Sequence, residues 1–179
     1  MINPLAAGTA PRSKAGRLPW AGILLLGILS FSMNAAGKTP VRIGDPFPSF
    51  SLPDLSGASL SLPGGMRGKV VIIHFWTDSC GNCRDEMPAL ETLYSHYGGR
   101  GLVIVAINVG QTIAQVGKFV DGLKITYPVL LDADGKAAAI CGVFGLPRTF
   151  ILDREGVIRQ KIIGEATAET LKKLLLPIL

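Results

Sequence analysis

The run Val70-Val71-Ile72-Ile73-His74-Phe75 leads straight into Trp76-Thr77-Asp78-Ser79-Cys80-Gly81-Asn82-Cys83. A segment this rich in β-branched residues reads as a strand covered on both faces. Beyond it a helix is expected from about Cys80 to Tyr97. Leu90, Leu93, Tyr94 and Tyr97 recur at helical spacing, and Gly98-Gly99 stops them. Pro88 falls inside this helix and is expected to kink it. Two thiols thus stand where a strand turns into a helix. Unpaired backbone N–H groups and the positive end of the helix dipole favour a thiolate on Cys80. The thiolate is the attacking species in disulfide exchange. Cys83 lies one turn further on, close enough to close a ring.

The chain has 179 residues, room for one domain of ordinary size plus an extension. Hydrophobic residues make up 48% and charged ones 17%, which describes a globular chain and not a disordered one. The formal charge of +5 is partly local, because Arg12, Lys14 and Arg17 precede Gly37 and no acid does. Without those three, 15 bases face 13 acids, too weak a bias to argue for nucleic acid.

Residues 1–36 read as a targeting segment. The basic stretch is followed by Trp20-Ala21-Gly22-Ile23-Leu24-Leu25-Leu26-Gly27-Ile28-Leu29, with no charge between Arg17 and Lys38. That is the pattern of an export signal. Asn34-Ala35-Ala36 offers small residues without a good A-x-A cleavage site. The uncharged stretch from Leu18 to Gly37 is also about as long as a bilayer requires. A cleaved signal and an uncleaved anchor in the cytoplasmic membrane both fit. Either keeps the N-terminus cytoplasmic and places the domain at 37–179 outside. Three cysteines in an exported chain make an odd count, which suits one redox pair plus a spare thiol better than a disulfide scaffold.

Within the domain, Phe50-Ser51-Leu52 and Ser59-Leu60-Ser61-Leu62 flank a turn and predict a β-hairpin. Leu102–Asn108 is a second buried strand. A helix is expected over Gln111–Asp121. Pro128–Leu131 is extended, and Ala-rich Lys136–Phe144 is helical. Thr149–Leu152 and Val157–Ile163 are strands joined by Asp153-Arg154-Glu155-Gly156. Thr167–Leu176 is a closing amphipathic helix. This order argues for an α/β fold: a central mixed sheet with helices on both faces.

A lone C-x-x-C is also half of a zinc site, but the other candidate ligands are only Cys141 and two histidines. No metal is expected. No G-x-G-x-x-G fingerprint is present, and no cofactor is expected.

Several segments together resemble the extracytoplasmic thioredoxin-like proteins of the TlpA/ResA/CcmG group. They are Gly44-Asp45-Pro46-Phe47-Pro48-Ser49-Phe50, the Phe75-Trp76 to Cys83 segment, Arg84-Asp85-Glu86-Met87-Pro88, Gly142-Val143-Phe144-Gly145-Leu146-Pro147-Arg148-Thr149-Phe150, and Asp153-Arg154-Glu155-Gly156. The resemblance implies a thioredoxin-like fold with an N-terminal hairpin and an insertion, between Lys118 and Val143, before a cis-proline. It implies that Cys80 is the exposed nucleophile and Cys83 the buried resolving thiol of a redox disulfide. Pro147 would be the cis-proline, and Leu146 would offer backbone groups to a client peptide as an added strand. Trp76 and Phe75 are read as packing beside the site, and Trp76 is counted with Leu146 and Pro147 as a substrate-side residue.

Glu86 stands three residues after Cys83, on the same helical face. A partly buried carboxylate there raises a thiol pKa and relays a proton to or from Cys83. The alternative is a first-turns acid that complements the helix dipole. ResA-like proteins carry a functional Glu at the matching place, which favours the thiol role. His74, six residues before Cys80, stands where plain thioredoxins carry a buried Asp and this group often carries Asn. Protonated, it lowers the thiol pKa; buried and neutral, it does little. Other departures are Ser79 in place of Trp, Asp78 beside the nucleophile, and Asn82 in place of a common Pro. Cys141 is read as a small buried residue, and His96 as helix surface.

These readings imply an exported thiol–disulfide reductase. Its clients would be proteins with cysteine pairs, such as apocytochromes c or oxidase assembly factors, and a membrane thiol relay would supply electrons. Two other functions fit the residues less well. A peroxiredoxin-like peroxidase shares Thr77 three residues before Cys80, but Ile73 stands where its motif needs Pro. A SCO-type copper metallochaperone needs C-x-x-x-C and a distal His, and no His comes after His96.

Overall fold

A computed structural model describes residues 40–179. The reading of residues 1–36 as a signal or anchor lies outside the described residues. Among the described ones, no helix is long and apolar enough to cross a membrane.

The strands are β1 (Phe50–Pro53), β2 (Ser59–Leu62), β3 (Val70–Trp76), β4 (Leu102–Val109), β5 (Val129–Asp132), β6 (Arg148–Leu152) and β7 (Ile158–Ile163). The helices are α1 (Gly81–Tyr97), α2 (Ile113–Leu123), α3 (Lys136–Ile140) and α4 (Ala168–Leu175). β1 and β2 pair as the expected antiparallel hairpin. The other five strands form one mixed sheet in the order β5-β4-β3-β6-β7. β3–β4 and β4–β5 are parallel, while β3–β6 and β6–β7 are antiparallel.

β3 is the middle strand, and all seven of its residues are buried. Its pleat divides the core. Ile72 and Trp76 face a cluster with Cys83, Met87 and Leu90 of α1, Val116 and Phe119 of α2, and Leu171 and Leu175 of α4. Val71, Ile73 and Phe75 face a second cluster with Phe47, Leu62, Ala138, Cys141 and Phe150. Burial of apolar surface on both sides is the main term holding the sheet in place. The isolated bridge between Asp54 and Leu130 ties the hairpin to β5.

α1 contains Pro88 and ends at Tyr97 as expected, with Met87, Leu90 and Leu93 held in the first core cluster. One element differs from the sequence reading. α3 stops at Ile140, short of the expected Phe144. Gly142 takes a left-handed φ of +64°. Its N–H donates to Ala139 O and the Val143 N–H donates to Ala138 O, the paired bonds that close a helix at glycine. This early stop frees Val143–Leu146 as a loop leading into β6.

Candidate active site

The parallel pairing of β3 with β4 and the antiparallel pairing with β6 fix what meets at the end of β3. Cys80 is the N-cap of α1, with extended backbone at φ −87° and ψ 104°. The Cys83 N–H points back at it, 3.3 Å from Cys80 Sγ and 3.1 Å from Cys80 O. Cys80 and Cys83 are joined as a disulfide, with Cα atoms 5.3 Å apart. Cys80 is part-exposed, and Cys83 is buried. Burial therefore separates the two sulfurs into one that a partner can reach and one that it cannot.

Cys80 opens onto a cavity of about 470 Å³, lined also by Thr77, Ser79, Val109, Ala138, Val143, Phe144, Gly145 and Leu146. The loop freed by the early end of α3 forms one wall. Phe144 is 87% exposed there, an apolar ring standing in solvent beside the disulfide. The Leu146–Pro147 bond is cis, as the resemblance implied, and so is Leu62–Pro63. Pro147 is buried, and its carbonyl accepts from the Gly164 N–H at 3.0 Å. The backbone groups of Leu146 take part in no backbone hydrogen bond among the described residues.

A buried polar cluster links β3, β6 and α1, where Glu86 follows Cys83 by three residues. His74 and Thr149 are directly opposite in the β3–β6 register. His74 Nδ1 is 3.0 Å from Thr149 Oγ1. The same hydroxyl lies 3.4 Å from Glu86 Oε1 on α1, and His74 Nδ1 is 3.8 Å from that oxygen. All three side chains are buried. Burial raises the Glu86 carboxyl to about 7. The Ala166 amide and the Thr149 hydroxyl pull it down, while Glu165 pushes it further up. Among the described residues, no hydrogen bond closes on Glu86 Oε2. Burial lowers the His74 imidazole to about 4, so it is neutral at pH 7.

One expectation is corrected. Trp76, expected on the substrate side, has no exposed surface. Its indole stacks on Phe119 with ring centroids 4.8 Å apart, and the Arg84 guanidinium lies 4.8 Å from the Phe119 ring. A client has no route to that indole, because α2 covers it. Phe75 is likewise core, and Cys141 is buried. His96 is exposed.

Three contributors are not visible in the sequence pattern. Thr149 reads there only as a strand residue, and its place between His74 and Glu86 depends on register. Phe144 falls inside a predicted helix. Gln111 reads as a helix start. Its Oε1 instead accepts from the Asp78 N–H at 2.9 Å and from Asn108 Nδ2 at 2.8 Å, bracing the turn that carries Cys80. Among the described residues, no group of three or more His, Cys, Asp or Glu side chains is arranged to hold a metal ion.

The profile of the AhpC/TSA family matches residues 43–161. The chain is 36% identical over 154 residues to "Thiol-disulfide oxidoreductase ResA" of Geobacillus thermodenitrificans, covering 84% of this chain and 88% of that protein. It is 33% identical over 151 residues to the protein of the same name from Bacillus subtilis, covering 82% and 84%. This chain belongs to the ResA-like thiol-disulfide oxidoreductases of the AhpC/TSA family.

Solved structures agree on the ResA-like fold. A putative thiol:disulfide interchange protein DsbE from Chlorobium tepidum superposes with a TM-score of 0.72 at 28% identity, covering 77% of this chain and 98% of that one. StoA from Bacillus subtilis gives 0.62 at 29% identity, covering 73% and 98%. The thioredoxin-like fold expected from the sequence is the fold observed. The enzyme class is thiol–disulfide oxidoreductase, acting on cysteine-containing proteins.

Proposed function

We propose that this oxidoreductase works as a reductase of client disulfides outside the cytoplasm. The observation that carries the reading is the split in burial between a reachable Cys80 and an enclosed Cys83, with buried Glu86 three residues after Cys83 on α1. In the reduced protein, the Cys80 thiolate attacks one sulfur of a client disulfide. A mixed disulfide forms, and the other client sulfur leaves as a thiolate. Cys83 then gives up its proton and attacks Cys80 Sγ. The second client thiol is released, and the Cys80–Cys83 disulfide closes. Two electrons have passed to the client.

Glu86 is the group we assign to carry the Cys83 proton. A carboxyl at about 7 is divided between its two forms at neutral pH, so it both accepts and returns a proton there. The loop of Phe144 and Leu146 beside Cys80 supports client docking. Leu146 supplies free backbone groups to an extended segment, Phe144 an apolar contact, and Pro147 the buried anchor of that loop. A membrane dithiol relay would return the protein to its reduced state. Residues 1–36 would deliver the domain, at 37–179, across the cytoplasmic membrane, as a signal or as an anchor. Apocytochromes c and oxidase assembly factors are the client classes that the ResA resemblance suggests.

The test uses the Cys83→Ala protein and a synthetic peptide that holds a C-x-x-C-H disulfide. Mass spectrometry should find a stable peptide adduct on Cys80. If Cys80 reacts with a small aromatic disulfide but never with the peptide, the client reading fails.

A further inference from the structure

His74 is the residue for which the reductase reading has no use. It is fully buried on the middle strand, and its Nε2 has no partner among the described residues. Its Nδ1 meets the Thr149 hydroxyl at 3.0 Å, and that hydroxyl is the only hydrogen-bond partner of Glu86 Oε1 among the described residues. The cluster is small enough to count its hydrogens.

A threonine hydroxyl has one hydrogen to give and lone pairs to receive. An ionised carboxylate only accepts. When Glu86 is ionised, the hydroxyl must therefore point its hydrogen at Glu86 Oε1, or two lone pairs face each other in a buried site. With its hydrogen committed, Thr149 Oγ1 can only receive from His74. The imidazole must then carry its hydrogen on Nδ1. A neutral ring has one such hydrogen, so Nε2 is bare. Among the described residues, no acceptor faces Nε2 to draw the ring hydrogen there. Protonation of Glu86 on Oε2, which has no hydrogen-bond partner among the described residues, leaves both of these hydrogen bonds in place.

We propose that His74 is a positioning residue: a neutral, Nδ1-protonated imidazole that aims the Thr149 hydroxyl at Glu86 Oε1 and leaves Oε2 as the oxygen that gains and loses the proton. The hydrogen bonds run one way, from His74 to Thr149 to Glu86, in both protonation states. The proposal rests on the reading of Glu86 as proton carrier for Cys83. The other ionisable groups around Glu86 are Cys83 on its own helix, Glu165 ahead of α4, and Tyr127 ahead of β5. The Tyr127 hydroxyl donates to Met87 O at 3.2 Å and is occupied there. None of these supplies a donor to Oε1. The Ala166 amide also favours the ionised carboxyl, but among the described residues the hydrogen bond that closes on Oε1 comes from Thr149, and its direction is set by His74.

Nitrogen NMR of the imidazole in the oxidised full chain reads the tautomer directly. Nδ1 should be protonated and Nε2 unprotonated on both sides of the Glu86 titration. A ring hydrogen on Nε2, or a cationic ring at pH 7, overturns the proposal without any variant. Carboxyl carbon NMR then tracks Glu86. His74→Phe should move its midpoint up by at most about one pH unit, because the Thr149 hydroxyl stays but is no longer held with its hydrogen on the carboxylate, and that bond is the most that can be lost. His74→Asn, whose amide can donate to Thr149, should restore most of it. An unmoved midpoint in a folded His74→Phe protein also overturns the proposal. The pH profile of Cys83 alkylation separates the two readings. If the Glu86 midpoint responds to His74 but alkylation does not respond to Glu86, the positioning role stands and the proton-carrier role falls.

Discussion

Glu86 Oε1 and His74 Nδ1 lie 3.8 Å apart in the core, and burial moves the two groups in opposite directions. Glu86 rises from 4.5 to about 7, and His74 falls from 6.5 to about 4. Each is thereby kept closer to neutral than it would be in water.

The pair gives stability a readable pH dependence. The folded protein holds the Glu86 proton more tightly than the unfolded chain, so stability is lost as pH rises from 4.5 to about 7. The unfolded chain holds the His74 proton more tightly, so stability is gained as pH rises from about 4 to 6.5. In the parent protein the two slopes oppose each other. In Glu86→Gln only the histidine slope remains. Urea denaturation of the oxidised protein should show this variant gaining on the parent by about 2 to 3 kcal/mol between about pH 4.5 and pH 8. A constant difference across that range would mean that Glu86 is not a buried acid.

Phe144 separates docking from chemistry. Its ring is exposed, so Phe144→Ser should change folding stability by no more than about 0.5 kcal/mol. The rate of exchange with a peptide disulfide should fall several-fold. The rate with a small aromatic disulfide should hold, since Cys80 itself is untouched. Equal losses with both reagents would show that the ring acts on the sulfur and not on the client.

Gln111 acts on the turn before Cys80. Gln111→Ala leaves the Asp78 N–H and the Asn108 amide without their shared acceptor. Loss of stability of about 1 to 2 kcal/mol is expected. Hydrogen exchange should speed up at Asp78 and leave the β3 amides as they were. Unchanged protection at Asp78 would remove the brace.

Gly142 cannot take a side chain cheaply. An added Cβ would sit 3.0 Å from Pro40 Cβ and 3.1 Å from Pro40 Cα, at a φ that L residues rarely adopt. Gly142→Ala should cost about 1 to 3 kcal/mol in thermal or urea unfolding. A neutral result would show that the Pro40 segment moves aside freely.

Local order is legible in the sequence. β3, the C-x-x-C turn and α1 announce themselves through a β-branched run, a helical period and a double glycine stop. The hairpin does so through alternation around a turn. What stays hidden depends on partners distant in the chain. Trp76 looks available to a client because nothing nearby says that Phe119, from α2, lies across its indole. Thr149 looks like any strand residue until the antiparallel register sets it opposite His74. The end of α3 is visible in principle at Gly142, but the alanines before it and Val143-Phe144 after it keep the helical pattern going. The resemblance supplies the pairing of Pro147 with the cysteines, which spacing alone leaves open.

Cys141 is walled into the second core, and burial holds its thiol near 12. Sulfur chemistry in this molecule therefore has one doorway. Repeated cycling closes the same small ring each time, with no scrambled isomers to undo. A maleimide dye added to the reduced native protein should accordingly label Cys80 and leave the third sulfur dark.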